Sequence, residues 1–209
     1  METIVNKRES LRFFGKISAS VSHEIKNVFA VINEAAGLLG DLTIMAEKGM
    51  PMDPDRLKRV AGSIQGQVQR GDVIVKNMNQ LAHSTDEGIH EMDLGQVLEL
   101  AVALSRRMAD MKQMNLDIGE GDAVTLAVDP FGLIRLLHEA MAVSLERMAP
   151  HATLLMTIAA SDSGGLITFS VPGQGIALTS DSALEQLAQE MGISVTTDAQ
   201  QGTLGLVLA

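Results

Sequence analysis

Cysteine, tryptophan and tyrosine are absent from the 209 residues, and aromatic side chains make up only 2% of the chain. Without cysteine there are no disulfides and no thiolate metal sites. With so few rings, the core must be filled by Leu, Val, Ile, Ala and the 13 Met. Such a core suits close-packed helices better than an all-β sandwich. Cations are also scarce, 16 Lys and Arg against 26 Asp and Glu, for a net charge of −10. This argues against a nucleic-acid partner, because phosphate binding needs clustered Lys and Arg. Long apolar runs are missing too. The longest, ATLLMTIAA at 152–160, falls short of the roughly 20 residues needed to cross a bilayer. The opening METIVNKRES is polar and lacks the apolar core of a signal peptide. The expectation is a soluble cytoplasmic protein with no membrane association. Hydrophobic residues still make up 46%, enough for one large core or two small ones.

Two long stretches carry a seven-residue apolar period. From Leu11 to Ala46 there is no proline. Phe14, Val21, Val28, Ala35 and Leu42 form one column, and Ile25, Ile32, Leu39 and Ala46 the next. This period predicts one helix of about 35 residues, roughly 50 Å long. KGMPMDPD at 48–55 breaks it. Asp53 then caps a second helix, with Pro54 at its first position, running to about His83. Leu57, Ile64, Gly71 and Met78 form one column there, and Val60, Gln67, Ile74 and Leu81 the other. Gly62, Gly66 and Gly71 are poor helix formers and predict a close helix neighbour. Residues 1–84 thus read as a helical hairpin. Two amphipathic helices cannot cover each other's stripes completely, so a homodimer forming a four-helix bundle is expected.

Residues 85–93 read as a polar linker and 94–209 as an α+β module. Helices are predicted over 94–113, 130–148 and 181–192. Strands are predicted at 123–128, at 152–161 and 165–171 joined by the turn DSGG, and in a final hairpin ISVTTD and GTLGLVLA. Helices would cover one face of a mixed sheet. His83, His90, His138 and His151 are read as scattered among helix ends and loops, without metal-ligand spacing. Arg106 and Arg107 read as a solvated helix face.

With the Val21 column labelled d and the Ile25 column a, His23 falls at f, the outermost heptad position. Glu24 falls at g and Asn27 at c. A neutral imidazole is a competent nucleophile near neutral pH. A carboxylate accepting its Nδ1–H would orient the ring and raise its basicity; Glu24 is the candidate. Asn27, one turn on, would orient a water or a phosphoryl oxygen. An exposed histidine on a helix is also, quite commonly, only a solvated residue.

SHEIKN at 22–27 resembles the phosphoacceptor box of dimeric sensor histidine kinases, in which His-Glu is usually followed three residues later by Asn or Thr and then by Pro-Leu. Val28-Phe29 stand in place of Pro-Leu, so less kink is expected. The resemblance implies a dimerising hairpin followed by an ATPase-like sandwich domain, an order similar to that read above. The second module departs from the family's nucleotide boxes. In DPFGLIRLLHEAMAVS, Asp129, Pro130, Leu133 and Leu137 fit, but the two Asn positions that would hold Mg²⁺ and phosphates are Glu139 and Val143. In VPGQGI, Val171 replaces the Asp that would read adenine. About five residues separate Ile176 from the next helix, leaving no room for a glycine-rich lid.

The resemblance therefore implies a degenerate kinase acting as a histidine phosphotransferase in a bacterial two-component phosphorelay. His23 would carry the phosphoryl group between aspartates of receiver domains. Glu24 and Asn27 would assist it, without a cofactor of its own and with Mg²⁺ supplied by the receiver. A phosphatase acting on a phosphorylated response regulator through Glu24 and Asn27 is the alternative. A dimeric docking platform without chemistry and an active ATP-dependent kinase rank lower.

Overall fold

The fold is that of a computed structural model describing residues 2–86, 88–161 and 164–209, with side chains from Lys7 onward. It divides into two compact units, residues 1–79 and 80–209.

The first unit is the hairpin of α1 (Glu2–Glu47) and most of α2 (Pro54–His83). No proline interrupts α1, so its 46 residues run unbroken. The turn between the helices is set by Gly49, held at φ +78°, and by Asp53. The Asp53 carboxylate accepts from the Asp55 N–H at 2.9 Å, the cap expected before Pro54. Val28, Ala35 and Leu42 of α1 are buried, as are Val60 and Ile74 of α2. A Cβ on Gly71 would lie 3.5 Å from Val28 Cγ1, so Gly71 is where the helices meet closely at that level. Gly62 and Gly66, expected in the same role, face open space. A groove of about 390 Å³ between the helices is lined by Val31, Ala35 and Leu38 on one side and Val60 on the other, with Glu34, Arg56 and Arg59 also bordering it.

Within the single hairpin the second α1 column, Ile25, Ile32, Leu39 and Ala46, stays half-buried. Among the described residues, α1 over Lys7–Glu47 is the one helix long and apolar enough to cross a membrane by length and composition. Here the apolar residues are interleaved with small and charged ones, yet their average is still high.

The second unit takes in the expected linker, residues 85–93. Residues 90–93 form strand β1 (His90–Asp93), antiparallel to β3 (Thr125–Val128). A partner more than thirty positions away draws this polar tetrapeptide into a ladder. The other strands are β2 (Asn115–Ile118), β4 (Thr153–Ser161), β5 (Gly164–Ser170), β6 (Ser194–Asp198) and β7 (Thr203–Leu208). They form a five-stranded mixed sheet in the order β2-β4-β5-β7-β6, with β2 and β4 parallel. Strand β2 was not expected from the sequence. Asp162 and Ser163 of the expected DSGG turn lie outside the described residues, and Gly164 and Gly165 open β5.

Helices α3 (Leu94–Met111), α4 (Pro130–Arg147) and α5 (Ser182–Glu190) supply the rest of the core. Asp93 caps α3 through the Gly95 N–H at 2.7 Å, and Asp181 caps α5 through the Leu184 N–H at 2.8 Å. Leu98, Ala101, Leu133, Leu137, Met141, Leu154, Met156, Phe169 and Leu206 are all buried. The alternating burial of β4 and β5 is the period-2 pattern of strands with one face on the core.

Candidate functional site

The heptad register fixes the surroundings of His23. Val21 and Ile25 on either side are half-buried and Val28 is buried against Gly71, while His23 is exposed. Each residue advances about 100° around a helix, so Asn27 lies about 40° from His23 on the same outer face. Asn27 is exposed as well. Glu24 is turned about 100° toward the seam and is half-buried. Adjacent helical residues do not face each other. The backbone therefore sets His23 and Asn27 side by side and Glu24 at their flank. Ser20, about one turn before His23, and Ala30, about two turns after it, carry small side chains. The arrangement presents an imidazole to solvent on an unbroken helix, with an amide one turn away.

The other histidines are not equivalent. His83 ends α2 and is exposed. His90 Nδ1 lies 2.8 Å from the Gly88 carbonyl oxygen. His151 sits in a turn at φ 67°, and its backbone N–H donates to the Gln113 carbonyl at 2.7 Å. His138, expected near a helix end or loop, is buried within α4, because α3 carries a polar group to meet it. Its Nδ1 is 2.8 Å from Ser105 Oγ. The Ser105 hydroxyl also lies 2.7 Å from the Ala101 carbonyl, to which it donates. Its one proton is thus committed, and Nδ1–H donates to the serine oxygen. This pair ties α3 to α4 and does not activate the serine. Among the described residues no group of three or more His, Asp or Glu is placed to hold a metal.

In the second unit, Val143 on α4 and Val171 just after β5 are buried, and Glu139 is half-buried. After Gly173 and Gly175, both in the left-handed region, only residues 177–181 connect Ile176 to α5. This connection is pinned to the turn between β6 and β7. The Leu178 N–H donates to the Gly202 carbonyl at 3.3 Å, and Leu178 is buried. Gly202 has φ +69°, and a side chain there would run into the Ile176 carbonyl oxygen. The length of this connection is legible in the sequence; its anchor, on a turn more than twenty positions further on, is not.

No family model matches the chain. It is 30% identical over 125 residues to PilS, a sensor protein kinase of Pseudomonas aeruginosa, a match covering 59% of this chain and 22% of PilS. It is 24% identical over 212 residues to ZraS, a sensor histidine kinase of Escherichia coli K12, covering 98% of this chain and 41% of ZraS. The chain thus spans less than half the length of these curated relatives. Among solved structures, a bacterial phosphotransferase superposes with a TM-score of 0.52 at 14% identity, over 92% of this chain and 94% of that one. The chain has a histidine-kinase-like fold.

A histidine-kinase-like fold raises the question of a nucleotide, and Val143 and Val171 do not fit one. Val143 and Val171 occupy the positions where the family resemblance places a phosphate or Mg²⁺ contact and the adenine-reading carboxylate. An isopropyl group neither donates nor accepts a hydrogen bond and cannot ligate a hard cation. The pinned five-residue connection stands where the resemblance places a long lid.

Proposed function

We propose that this chain is a histidine phosphotransferase of a bacterial two-component phosphorelay, acting as a cytoplasmic homodimer on receiver domains. His23 Nε2 attacks the phosphorus of an aspartyl phosphate on one receiver. A P–N bond forms, the P–O bond to aspartate breaks, and the carboxylate leaves. Nδ1 keeps its proton, so the resulting phosphohistidine has its charge spread over the ring and the phosphoryl oxygens. Attack by a second receiver's aspartate reverses these changes. Mg²⁺ in both steps belongs to the receiver, and the chain brings no cofactor of its own. The observation that carries this reading is an exposed His23 with Asn27 on the same helical face, in a chain whose companion unit puts valines at the nucleotide-contact positions. Incubation with phosphorylated receivers from the same genome tests it. Acid-labile phosphate should appear on His23 and then on a second receiver; a panel in which none transfers would defeat the reading.

The exposed amide of Asn27 favours a phosphatase as the second reading, since it can orient a water at a receiver's phosphoryl group. Separate substitutions divide the two. Glu24→Ala should slow transfer in both directions, because the carboxylate that would accept Nδ1–H and orient the ring is lost. Asn27→Ala should act chiefly on hydrolysis of the phosphorylated partner. If the native protein does not hasten dephosphorylation of a receiver at all, the phosphatase reading is wrong.

The absence of ATP use is part of the proposal. Losing a charge-assisted hydrogen bond to a ligand costs about 1.5–3 kcal/mol. Losses at adenine, phosphate and lid act on separate parts of one ligand and roughly add. Calorimetry with Mg-ATP should therefore detect no binding below the millimolar range. Binding at tens of micromolar, or labelling of His23 from ATP, would restore the kinase.

A further inference from the structure

The charges of this chain are partitioned between its two units. Residues 1–79 hold 9 Asp and Glu against 11 Lys and Arg, a net charge of +2; residues 80–209 hold 17 against 5, a net charge of −12. From Met148 to Ala209 there is no Lys or Arg. Only part of this excess does local structural work. Asp93 and Asp181 cap helices, Asp122 accepts from the Ala160 N–H at 2.8 Å, and Asp198 holds the turn after β6. Glu91, Glu99, Asp110, Asp117, Glu120 and Glu146 are exposed, and none of them caps a helix or a turn. Like charges at this density repel one another and disfavour the compact state. The balanced hairpin shows that the chain's composition does not force such an excess on every unit.

A net charge of −12 acts beyond contact range. Fields of this kind raise association rates with an oppositely charged partner by roughly 10–10³-fold and slow the approach of anions. We propose that the second unit is an electrostatic docking module, and that the receivers exchanging phosphoryl groups with His23 present a Lys- and Arg-rich face to it. This rests on the phosphotransferase reading of His23. The units belong to one chain, so a receiver held by the second unit stays at high effective concentration for the hairpin. The same field opposes a nucleoside triphosphate, in line with the valines at positions 143 and 171.

The test uses the full chain and the isolated phosphorylated receivers of the same genome as probes. Rate constants for transfer to His23 are measured from about 0.01 M to about 1 M salt, over which the Debye length falls from about 30 Å to about 3 Å. They should fall by about tenfold or more. A variant carrying E91Q, E99Q, D110N, D117N, E120Q and E146Q halves the unit's excess charge. It should be slower than the native protein at low salt and should match it at high salt, where the field is screened. Any effect of salt on the chemistry itself is common to both proteins and cancels in their ratio. Rates independent of salt in the native protein, or an equally fast variant at low salt, overturn the docking module and leave the role of His23 standing. Failure of every receiver to label His23 at any salt overturns the phosphotransferase reading and this inference with it. If the six-site variant does not fold, the two three-site variants, E91Q/E99Q/D110N and D117N/E120Q/E146Q, read as the same ratio to the native protein at low and high salt, decide the question.

Discussion

His23→Ala should abolish acid-labile phosphate on this protein and leave its fold untouched. The ring is exposed on the outer face of α1 and takes no part in the Val28–Gly71 contact that seats the helices. Surface substitutions away from caps and packing change stability by within about 0.5 kcal/mol, or a Tm shift of about 2 °C or less at this size. Alanine is also the best helix former. Phosphoryl acceptance, by contrast, needs a nitrogen lone pair that alanine lacks, so the loss should be complete. Two measurements decide it: label from a phosphorylated receiver, and thermal unfolding by circular dichroism. Label retained on the variant would move the nucleophile elsewhere. The candidates among the other histidines are poor, since His138 is buried against Ser105.

Ile32→Glu should have the largest effect on assembly. In one hairpin the column of Ile25, Ile32, Leu39 and Ala46 is only half-covered, and Phe29 and Ile44 beside it are 64% and 50% exposed. A second hairpin laid on that column would bury an obligate-type interface, typically 2,000 Å² or more. A carboxylate placed in its middle would be desolvated in both copies, at a cost of several kcal/mol per ion. Light scattering should therefore give a dimer for the native protein, and a 22.3 kDa monomer or an unfolded chain for the variant. Were the column to face water instead, the same change would be nearly neutral. A native protein that stays monomeric at micromolar concentration would contradict the dimer outright.

The sequence was most legible where structure repeats locally. The seven-residue period of α1 and α2 and the Asp53-Pro54 start of α2 needed no distant partner to be recognised. The outward placement of His23 followed from that same period. Where distant residues decide, the reading failed. Strands β1 and β2 are four residues each; His90–Asp93 has no apolar alternation, and β2 buries only Leu116. They are strands because β3 and β4 supply ladders from elsewhere in the chain. His138 looked like a polar residue near a loop because Ser105, which receives its Nδ1–H, lies 33 positions away. The glycines of α2 looked alike, and only the packing separates Gly71 from Gly62 and Gly66. At the site, the period could place His23, Glu24 and Asn27 around the axis. It also set Glu24, at g, beside the seam, where it is partly covered, while His23 and Asn27, at f and c, stand in water.

The absence of proline after Asn27 determines how the hairpin can move. Helix α1, 46 residues long, spans about 69 Å. Sharp kinks arise at proline, at glycine-serine pairs, at π-bulges or where a side chain or water enters the ladder, and α1 is helical without a break throughout. It therefore behaves as a lever arm without an elbow. A push at one end is delivered to the other by turning or sliding the whole rod, of the order of 1–2 Å at packed helix surfaces. Val28 and His23 are keyed to the same shaft: any rotation that lifts Val28 out of its seat on Gly71 swings the imidazole through the same angle.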